Sequence, residues 1–97
     1  MEANKFIRIE HFCEVHEVEL SFIEELESYE LISIKQEESV KYFSQDDIAD
    51  IEKMTRLYKE LEINPAGIDA ILHLLEKLDK KEKELTELRD KLSVFLK

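Results

Sequence analysis

Three side chains near the start of the chain belong to types that bind soft metal ions. His11, Cys13 and His16 lie close together, and Cys13 and His16, three positions apart, share one face if the segment is helical. A thiolate and an imidazole could hold an ion there. The alternative is that Cys13 packs in the core, since free cysteine is among the most buried residue types. We favour the packing role and predict no metal and no cofactor.

The sequence contains no motif that builds a reaction centre. A glycine-rich phosphate loop, a Cys-x-x-Cys pair, a His-Glu-x-x-His signature and a nucleophile elbow are all missing from it. His73 stands far along the chain from any side chain that would complete a catalytic set. The glutamates lack the glycine of a calcium-binding loop. We therefore predict a protein that is not an enzyme and that acts by binding.

Length and composition set the size and class of the fold. The chain has 97 residues, of which 43% are hydrophobic and 39% charged, with one glycine and one proline. This favours one small helix-rich fold and excludes a multi-domain enzyme. A single cysteine allows no intrachain disulfide, which is typical of a reducing compartment. No apolar stretch approaches the roughly 20 residues of a membrane span, so we expect a cytoplasmic protein without a membrane partner.

Negative charge is concentrated in the first third of the chain. The formal net charge is −10, and residues 1–34 hold nine glutamates against Lys5 and Arg8, whereas residues 69–97 hold seven acids and seven bases. No lysine or arginine occurs in residues 9–34. Because nucleic-acid binders neutralise phosphates with basic side chains, we expect little affinity for nucleic acids. A basic protein is the better partner, and the alternative is a face that only keeps the chain in solution.

Apolar residues at helical spacing predict two short helices in tandem. The first begins at Ile9 with Phe12 and Cys13 inward, and the second follows Val18. The side chains expected to face inward from the second helix are Leu20, Phe22, Ile23 and Leu26. Those expected to face solvent are Glu19, Glu24, Glu25, Glu27 and Ser28. The second helix is therefore predicted to present an acidic outer face.

A small hairpin and a third helix follow. Residues 31–34 and 40–43 are β-prone and are separated by the polar residues 36–39, which predicts a hairpin whose turn lacks glycine. Ser44 with Asp46 and Asp47 is typical of a helix N-terminus. The third helix is expected to end near Glu62.

The last third of the chain predicts one long helix. Asn64 supplies a cap and Pro65 occupies the first helical position. Apolar residues then take the a and d places of a heptad, interrupted only by Lys81: Ile71, Leu74, Leu78, Leu85, Leu88, Leu92 and Phe95. A helix of some 30 residues is about 45 Å long, too long for so small a globule to cover.

The far half of this helix needs a partner, and we expect a second copy of the chain. A leucine seam between balanced charges is the usual surface of a coiled coil. The residues predicted to form the homodimer are Leu78, Leu85, Leu88, Leu92 and Phe95. The alternative is a tail that folds back or frays, and the pattern leaves parallel and antiparallel pairing open.

The order of these elements resembles the MerR-like winged-helix architecture, which joins a helix-turn-helix and a hairpin wing to a dimerising coil. The resemblance covers about residues 7–96. It is carried by Cys13, Val18, Phe22, Ile23, Leu26, Leu31 and Ile32, by Tyr42, Phe43 and Asp46, and by residues 61–68. Glu17 and Glu30 stand where that group commonly has glycine, which predicts turns that differ locally. The predicted fold is mainly α, with a winged helix-turn-helix in residues 1–62 and a coiled-coil helix in residues 63–97.

Within that group the chain resembles the chaperone-modulator CbpM family, above all in the segment INPAGIDAIL of residues 63–72. The resemblance implies a protein that docks on the J-domain of a DnaJ-like co-chaperone, CbpA, and keeps it from stimulating the DnaK ATPase. J-domains carry a basic helix, which a negative surface complements. From charge and helix facing, we expect the contact to involve Glu19, Glu24, Glu25 and Glu27, with Tyr29 as an aromatic anchor.

The alternative function is that of a MerR-type DNA-binding transcription regulator. In that case the second helix would enter the major groove and the hairpin would contact the backbone. The bases available for such contacts are Lys35, Lys41, Lys53, Arg56 and Lys59. The glutamates of the second helix oppose this function, because they would face phosphates. An effector-sensing fragment or an enzyme subunit is a third, weaker possibility, since no catalytic set is visible.

Overall fold

The structure, a computed structural model that describes residues 5–96, is mainly helical with one small sheet. Its elements are β1 (Phe6–Arg8), α1 (Ile9–His16), α2 (Leu20–Ser28), β2 (Lys35–Glu37), β3 (Val40–Ser44), α3 (Ile48–Glu60) and α4 (Pro65–Phe95), with a single 3-10 turn at Gln45–Asp47. This architecture confirms the predicted fold class. No helix between residues 5 and 96 combines the length and the apolar character needed to cross a membrane. The division of the chain at residues 62 and 63 stays a prediction.

Ser44 caps the 3-10 turn that leads into α3, and Asn64 caps the start of α4, both as the sequence predicts. The Ser44 hydroxyl accepts a hydrogen bond from the Asp46 N–H at 3.2 Å, one turn before α3. Asn64 Oδ1 accepts from the Gly67 N–H at 2.8 Å, and Pro65 follows in the first turn of α4. A Cβ atom at Gly67 would lie 2.7 Å from Cγ2 of Ile63. The tight start of α4 is therefore suited to glycine at this one position.

The sheet contains a strand that the sequence pattern does not reveal. Its three antiparallel strands lie in the order β1-β3-β2, and β1 is only three residues long, too short to display a period. The first hairpin strand is β2 rather than residues 31–34, so that prediction is wrong. Ile32 is buried and Leu31 is half-buried, because these apolar side chains fill the core from the segment before the strand.

Ten buried side chains form one core between the helices and the sheet. They are Ile9, Phe12, Phe22, Ile23, Leu26, Ile32, Phe43, Ile51, Met54 and Ile68. Phe43 of β3 meets Phe12 of α1 edge to face at 5.2 Å, and Phe22 of α2 stacks on Tyr58 of α3 at 4.0 Å. Ile68 attaches the start of α4 to this core. Leu72, one turn further on, also packs against it, and α4 projects from the core beyond this residue.

One residue expected in the core lies at the surface instead. Leu20 is 45% exposed, so its predicted inward orientation is wrong. The side chain is the first of α2 and lies one turn before Glu24, on the side of the helix opposite the core. The outer face of α2 therefore carries an aliphatic side chain as well as carboxylates.

Glutamate occupies the left-handed backbone positions of the described chain. The non-glycine residues with positive φ are Glu17, Glu30, Glu38 and Glu62. After α1, the Val18 N–H donates to the Cys13 carbonyl at 3.1 Å, and after α2 the Leu31 N–H donates to the Leu26 carbonyl at 3.0 Å. These bonds define Schellman ends, whose left-handed residue is usually glycine. The two turns thus keep a glycine-type backbone, and the local difference lies in the side chains.

Replacing Glu17 or Glu30 by glycine is expected to raise the free energy of unfolding by about 0.5–1 kcal/mol. Other L-residues meet a steric cost of roughly 1–2 kcal/mol at positive φ, and the greater backbone entropy of unfolded glycine cancels only part of the gain. Urea unfolding followed by circular dichroism measures the change.

Glu25→Gly is the matched control, because it removes the same charge from a right-handed position inside α2. We expect that variant to lose about 1 kcal/mol. An equal loss in the Glu17→Gly and Glu30→Gly variants would contradict the proposed backbone cost.

Candidate protein-binding surface

The outer face of α2 is acidic because the core takes the other side of the helix. Phe22, Ile23 and Leu26 are buried, and their spacing turns the remaining positions towards solvent. The exposed residues of this segment are Glu19, Leu20, Ser21, Glu24, Glu25, Glu27 and Ser28. Apolar contact and negative charge are therefore available on one helix, which suits a basic protein surface better than a phosphate backbone.

Glu24 is the one predicted contact residue that the structure places in an ion pair across two elements. Its Oε2 lies 3.2 Å from Nζ of Lys41 in β3. Lys41 reaches α2 because it shares a face of β3 with Phe43, which is fully buried against the helices. Both members are partly exposed, so the pair stabilises the fold by less than about 1 kcal/mol. Separating Lys41 from Glu24 therefore costs little.

The other three glutamates are exposed at separate points of the helix. Glu19 occupies the N-cap position of α2, and its Oε2 accepts a hydrogen bond from the Ser21 hydroxyl at 3.3 Å. Glu25 and Glu27 make no ion pair within the described residues. The positive end of the helix dipole stabilises the carboxylate of Glu19. The carboxylates of Glu25 and Glu27 lie further along the helix and do not gain this stabilisation.

Tyr29 lies at the end of the helix that carries these carboxylates. It follows the last residue of α2, is 41% exposed, and lines a groove between the end of α2, α3 and the first half of α4. Leu31, Leu72 and Leu75 line the same groove, and none of the four predicted glutamates does. Tyr29 also borders the acidic face, because its N–H donates to the Glu25 carbonyl at 3.2 Å, and its role as an aromatic anchor stays a prediction.

This groove is a feature that sequence reasoning missed. Leu72 and Leu75 occupy heptad positions b and e, outside the a and d seam from which pairing of α4 is predicted. Apolar residues at these outer positions are the signal that indicates a second apolar face. Leu72 lies outside the seam, is half-buried and packs against the core as well as lining the groove.

Most of the basic side chains considered for DNA contact interact with other groups of the same chain. Lys35 lies 4.0 Å from the Glu37 carboxylate, and its Nζ stands 4.7 Å from the Phe6 ring centroid. Lys59 donates to the His16 carbonyl at 2.8 Å, while Lys41 pairs with Glu24 as described above. Lys53 and Arg56 are exposed on α3. Three of the five bases are therefore held by contacts within the chain.

Cys13 and His16 of α1 are held by packing, whereas His11 is exposed. Burial raises the pKa of the Cys13 thiol, which disfavours the thiolate that a metal needs. The His16 ring stacks on Phe12 at 4.1 Å, and its Nε2 lies 3.5 Å from the Glu52 carboxylate. Among residues 5–96, no three histidine, cysteine or acidic side chains are arranged to hold a metal ion.

The predicted dimer residues lie exposed along one side of α4. The exposed fractions are 56% for Leu78, 52% for Leu85, 62% for Leu88, 57% for Leu92 and 85% for Phe95. No part of the described chain covers this seam, which extends along a molecule 63 Å long. Such a run of large apolar side chains is typical of an interaction surface.

The helix-turn-helix of α1 and α2, the β2–β3 hairpin beside it, and α3 together define a winged-helix domain. Residues 7–90 match the family described as MerR HTH family regulatory protein. The chain belongs to that family. No curated protein and no solved structure matches it.

His73, on the outer face of α4, is held by Asp69. Its Nδ1 lies 2.8 Å from the Asp69 carbonyl and 3.1 Å from the buried Oδ1 of the same residue. Because a carbonyl only accepts, Nδ1 carries the proton, which leaves that Oδ1 without a hydrogen bond of its own. The carbonyl, followed by the Asp69 and Glu76 carboxylates, raises the pKa of His73, and slight desolvation and Lys77 oppose the shift.

Replacing Asp69 by asparagine is expected to lower the titration midpoint of His73, because the nearest negative charge is removed while the carbonyl stays. NMR titration of the imidazole C–H resonances measures this midpoint. A raised pKa in the folded state stabilises the fold below the unfolded pKa, and this contribution is lost as pH rises through the folded value. Asp69→Asn should therefore lower the free energy of unfolding more at about pH 5.5 than at about pH 8.5.

A His73→Gln background provides the control for this pH dependence. There Asp69→Asn should have the same effect on unfolding at both pH values. An unchanged His73 midpoint in the Asp69→Asn protein would show that the carboxylate does not act on the imidazole.

Proposed function

We propose that this member of the MerR family is a chaperone modulator that binds a protein rather than DNA. Its acidic helix-turn-helix face docks on the basic J-domain of a DnaJ-like or CbpA-like co-chaperone and prevents that J-domain from stimulating DnaK. The protein acts by occupying a surface and catalyses no reaction. The carrying observation is that the exposed face of α2 combines Leu20 with Glu24, Glu25 and Glu27 and has no basic side chain.

Electrostatics support a basic partner. The helix that a winged-helix protein inserts into the DNA groove is here the most acidic element near the wing, so it would bring carboxylates towards phosphates. A J-domain reverses this relation, because its basic helix meets the glutamates favourably. The resemblance to the CbpM family in residues 63–72 supports this partner class.

Apolar contact supports a protein partner as well. Complementary charge accelerates encounter, whereas affinity comes mainly from desolvated contacts at the centre of an interface. Leu20 and the half-buried Val18 and Val40 line a hollow between α1, the start of α2 and the hairpin tip, whose charged lining consists of Glu10, Glu14, Arg8 and Lys41. An apolar side chain of the partner can enter this hollow while its lysines meet the glutamates.

The second candidate is a MerR-type transcription regulator. The family description and the winged-helix geometry favour it, since the β2–β3 hairpin carries Lys35 on the edge strand β2 and Lys41 on the central strand β3. This function predicts affinity for duplex DNA that falls steeply with salt. Titration of the same purified chain against a J-domain and against mixed-sequence duplex DNA at near-physiological salt separates the two candidates.

Replacing Glu24, Glu25 and Glu27 together by lysine is expected to weaken J-domain binding tenfold or more at low salt. The change reverses three charges at the proposed contact and should reduce the salt dependence of the remaining affinity. Isothermal titration calorimetry at two salt concentrations measures both effects.

A triple variant with Glu60→Lys, Glu87→Lys and Asp90→Lys is the matched control. It changes the net charge equally at exposed positions of α3 and α4 away from the acidic face. Weakening of the same size in both variants would indicate general attraction between opposite charges and would remove α2 from the proposed contact.

We also propose that the protein is a homodimer joined through the a and d seam of α4. Replacing Leu85 and Leu92 by glutamate places charges in that seam and should convert the dimer to a monomer. Sedimentation velocity measures the change.

Thr86→Glu with Ser93→Glu is the control, because both positions lie at place b of the heptad, on the outer side of the same helix. This variant should remain dimeric. A monomeric wild-type chain at micromolar concentration would end the dimer proposal.

A further inference from the structure

The groove between α2, α3 and α4 has an apolar floor that is open to solvent. Its apolar lining consists of Tyr29, Leu31, Met54, Leu72 and Leu75. Tyr29 is 41% exposed and Leu75 is 47% exposed, so much of this lining faces water. With a volume of about 830 Å³, the groove has room for several side chains of a partner.

The groove is not part of the predicted dimer seam. Leu72, Glu76 and Asp79 occupy heptad positions b, f and b, on the side of α4 opposite the a and d residues. Pairing through Leu78, Leu85 and their neighbours would therefore leave Leu72, Glu76 and Asp79 uncovered, while Leu75, at position e, borders the seam. The groove is thus open to an occupant other than the coil partner.

Carboxylates surround the floor and decide the chemistry of that occupant. The charged lining consists of Glu30, Asp50, Asp69, Glu76 and Asp79 against Lys53 and His73. Nucleic acid is excluded by this excess of negative charge. A second copy of the chain is disfavoured for the same reason, because it also carries a net charge of −10.

We propose that this groove is a docking site for a basic amphipathic helix of another protein. The apolar ridge of the helix packs on Tyr29, Leu72 and Leu75, and its flanking lysines or arginines pair with the surrounding carboxylates. Helix-in-groove recognition of this kind combines an apolar anchor with charges that set orientation. The site is separate from the outer face of α2 and does not depend on the J-domain proposal.

The probe is a peptide of about 18 residues with leucine at helical spacing and lysine at the other positions. A scrambled peptide of the same composition and a peptide with glutamate in place of lysine serve as controls. Titration into the isotope-labelled full chain should shift the amide resonances of Tyr29, Leu72 and Leu75. The scrambled peptide should bind at least tenfold more weakly, and the acidic peptide should not bind.

Two groove variants test the charged and the apolar contributions separately. Glu76→Lys with Asp79→Lys should weaken binding of the leucine-lysine peptide tenfold or more, and Leu75→Gln should weaken it several-fold. The matched control is Glu87→Lys with Asp90→Lys, which changes the same charge on the same helix outside the groove. It should change affinity less than threefold, and circular dichroism should give the same helical content for every variant.

Several results would overturn the docking site. These are equal weakening by the groove and control pairs, equal binding of the scrambled peptide, no binding at all, or resonance shifts confined to α2 or to the a and d seam. A J-domain titration in parallel separates this proposal from the proposed function. If the J-domain does not bind but the peptide shifts resonances in the groove, only the proposed chaperone role is contradicted. If the J-domain binds but the peptide shifts no resonance in the groove, only the docking site is contradicted.

Discussion

The contact between Phe43 and Phe12 fixes the relation between the sheet and the helices. Phe43 is fully buried in the central strand, so the alternation of β3 is set with Phe43 facing the helices. Lys41 shares that face and is thereby directed to Glu24 of α2. A slip of one residue in β3 would bury Tyr42 in place of Phe43 and would break the cross-element ion pair. The hairpin, the acidic helix and the hollow between them thus depend on one aromatic contact.

Glutamate in left-handed turns gives this domain an unusual combination of shape and charge. The helix-turn-helix needs sharp ends after α1 and α2, and the Schellman bonds of Val18 and Leu31 supply them. Glycine would satisfy the backbone most easily, whereas Glu17 and Glu30 add negative charge at the same points. The chain therefore keeps the turn geometry of its fold while increasing the negative charge of its surface.

The fold presents three surfaces that differ in chemistry. The outer face of α2 combines carboxylates with an exposed leucine, the seam of α4 is a long apolar stripe, and the groove beneath Tyr29 is apolar with acidic walls. Because the surfaces are separate, the proposed dimer and the proposed basic partner would not compete for the same residues. A scaffold that in other proteins meets phosphates is here covered with groups that repel them.

The sequence alone determined the features that depend on local spacing. The helical periods, the Ser44 and Asn64 caps and the acidic outer face of α2 could all be predicted, because each follows from interactions between residues a few positions apart. Tertiary structure decided the features that depend on distant contacts: the pairing of β1 with β3, the shift of the hairpin strand from residues 31–34 to β2, the exposure of Leu20 and the position of Tyr29 and Leu72 along one groove. A three-residue strand has no period of its own, and a groove lined by three helices has no local signature. Both exist only because burial of the core brings remote segments together.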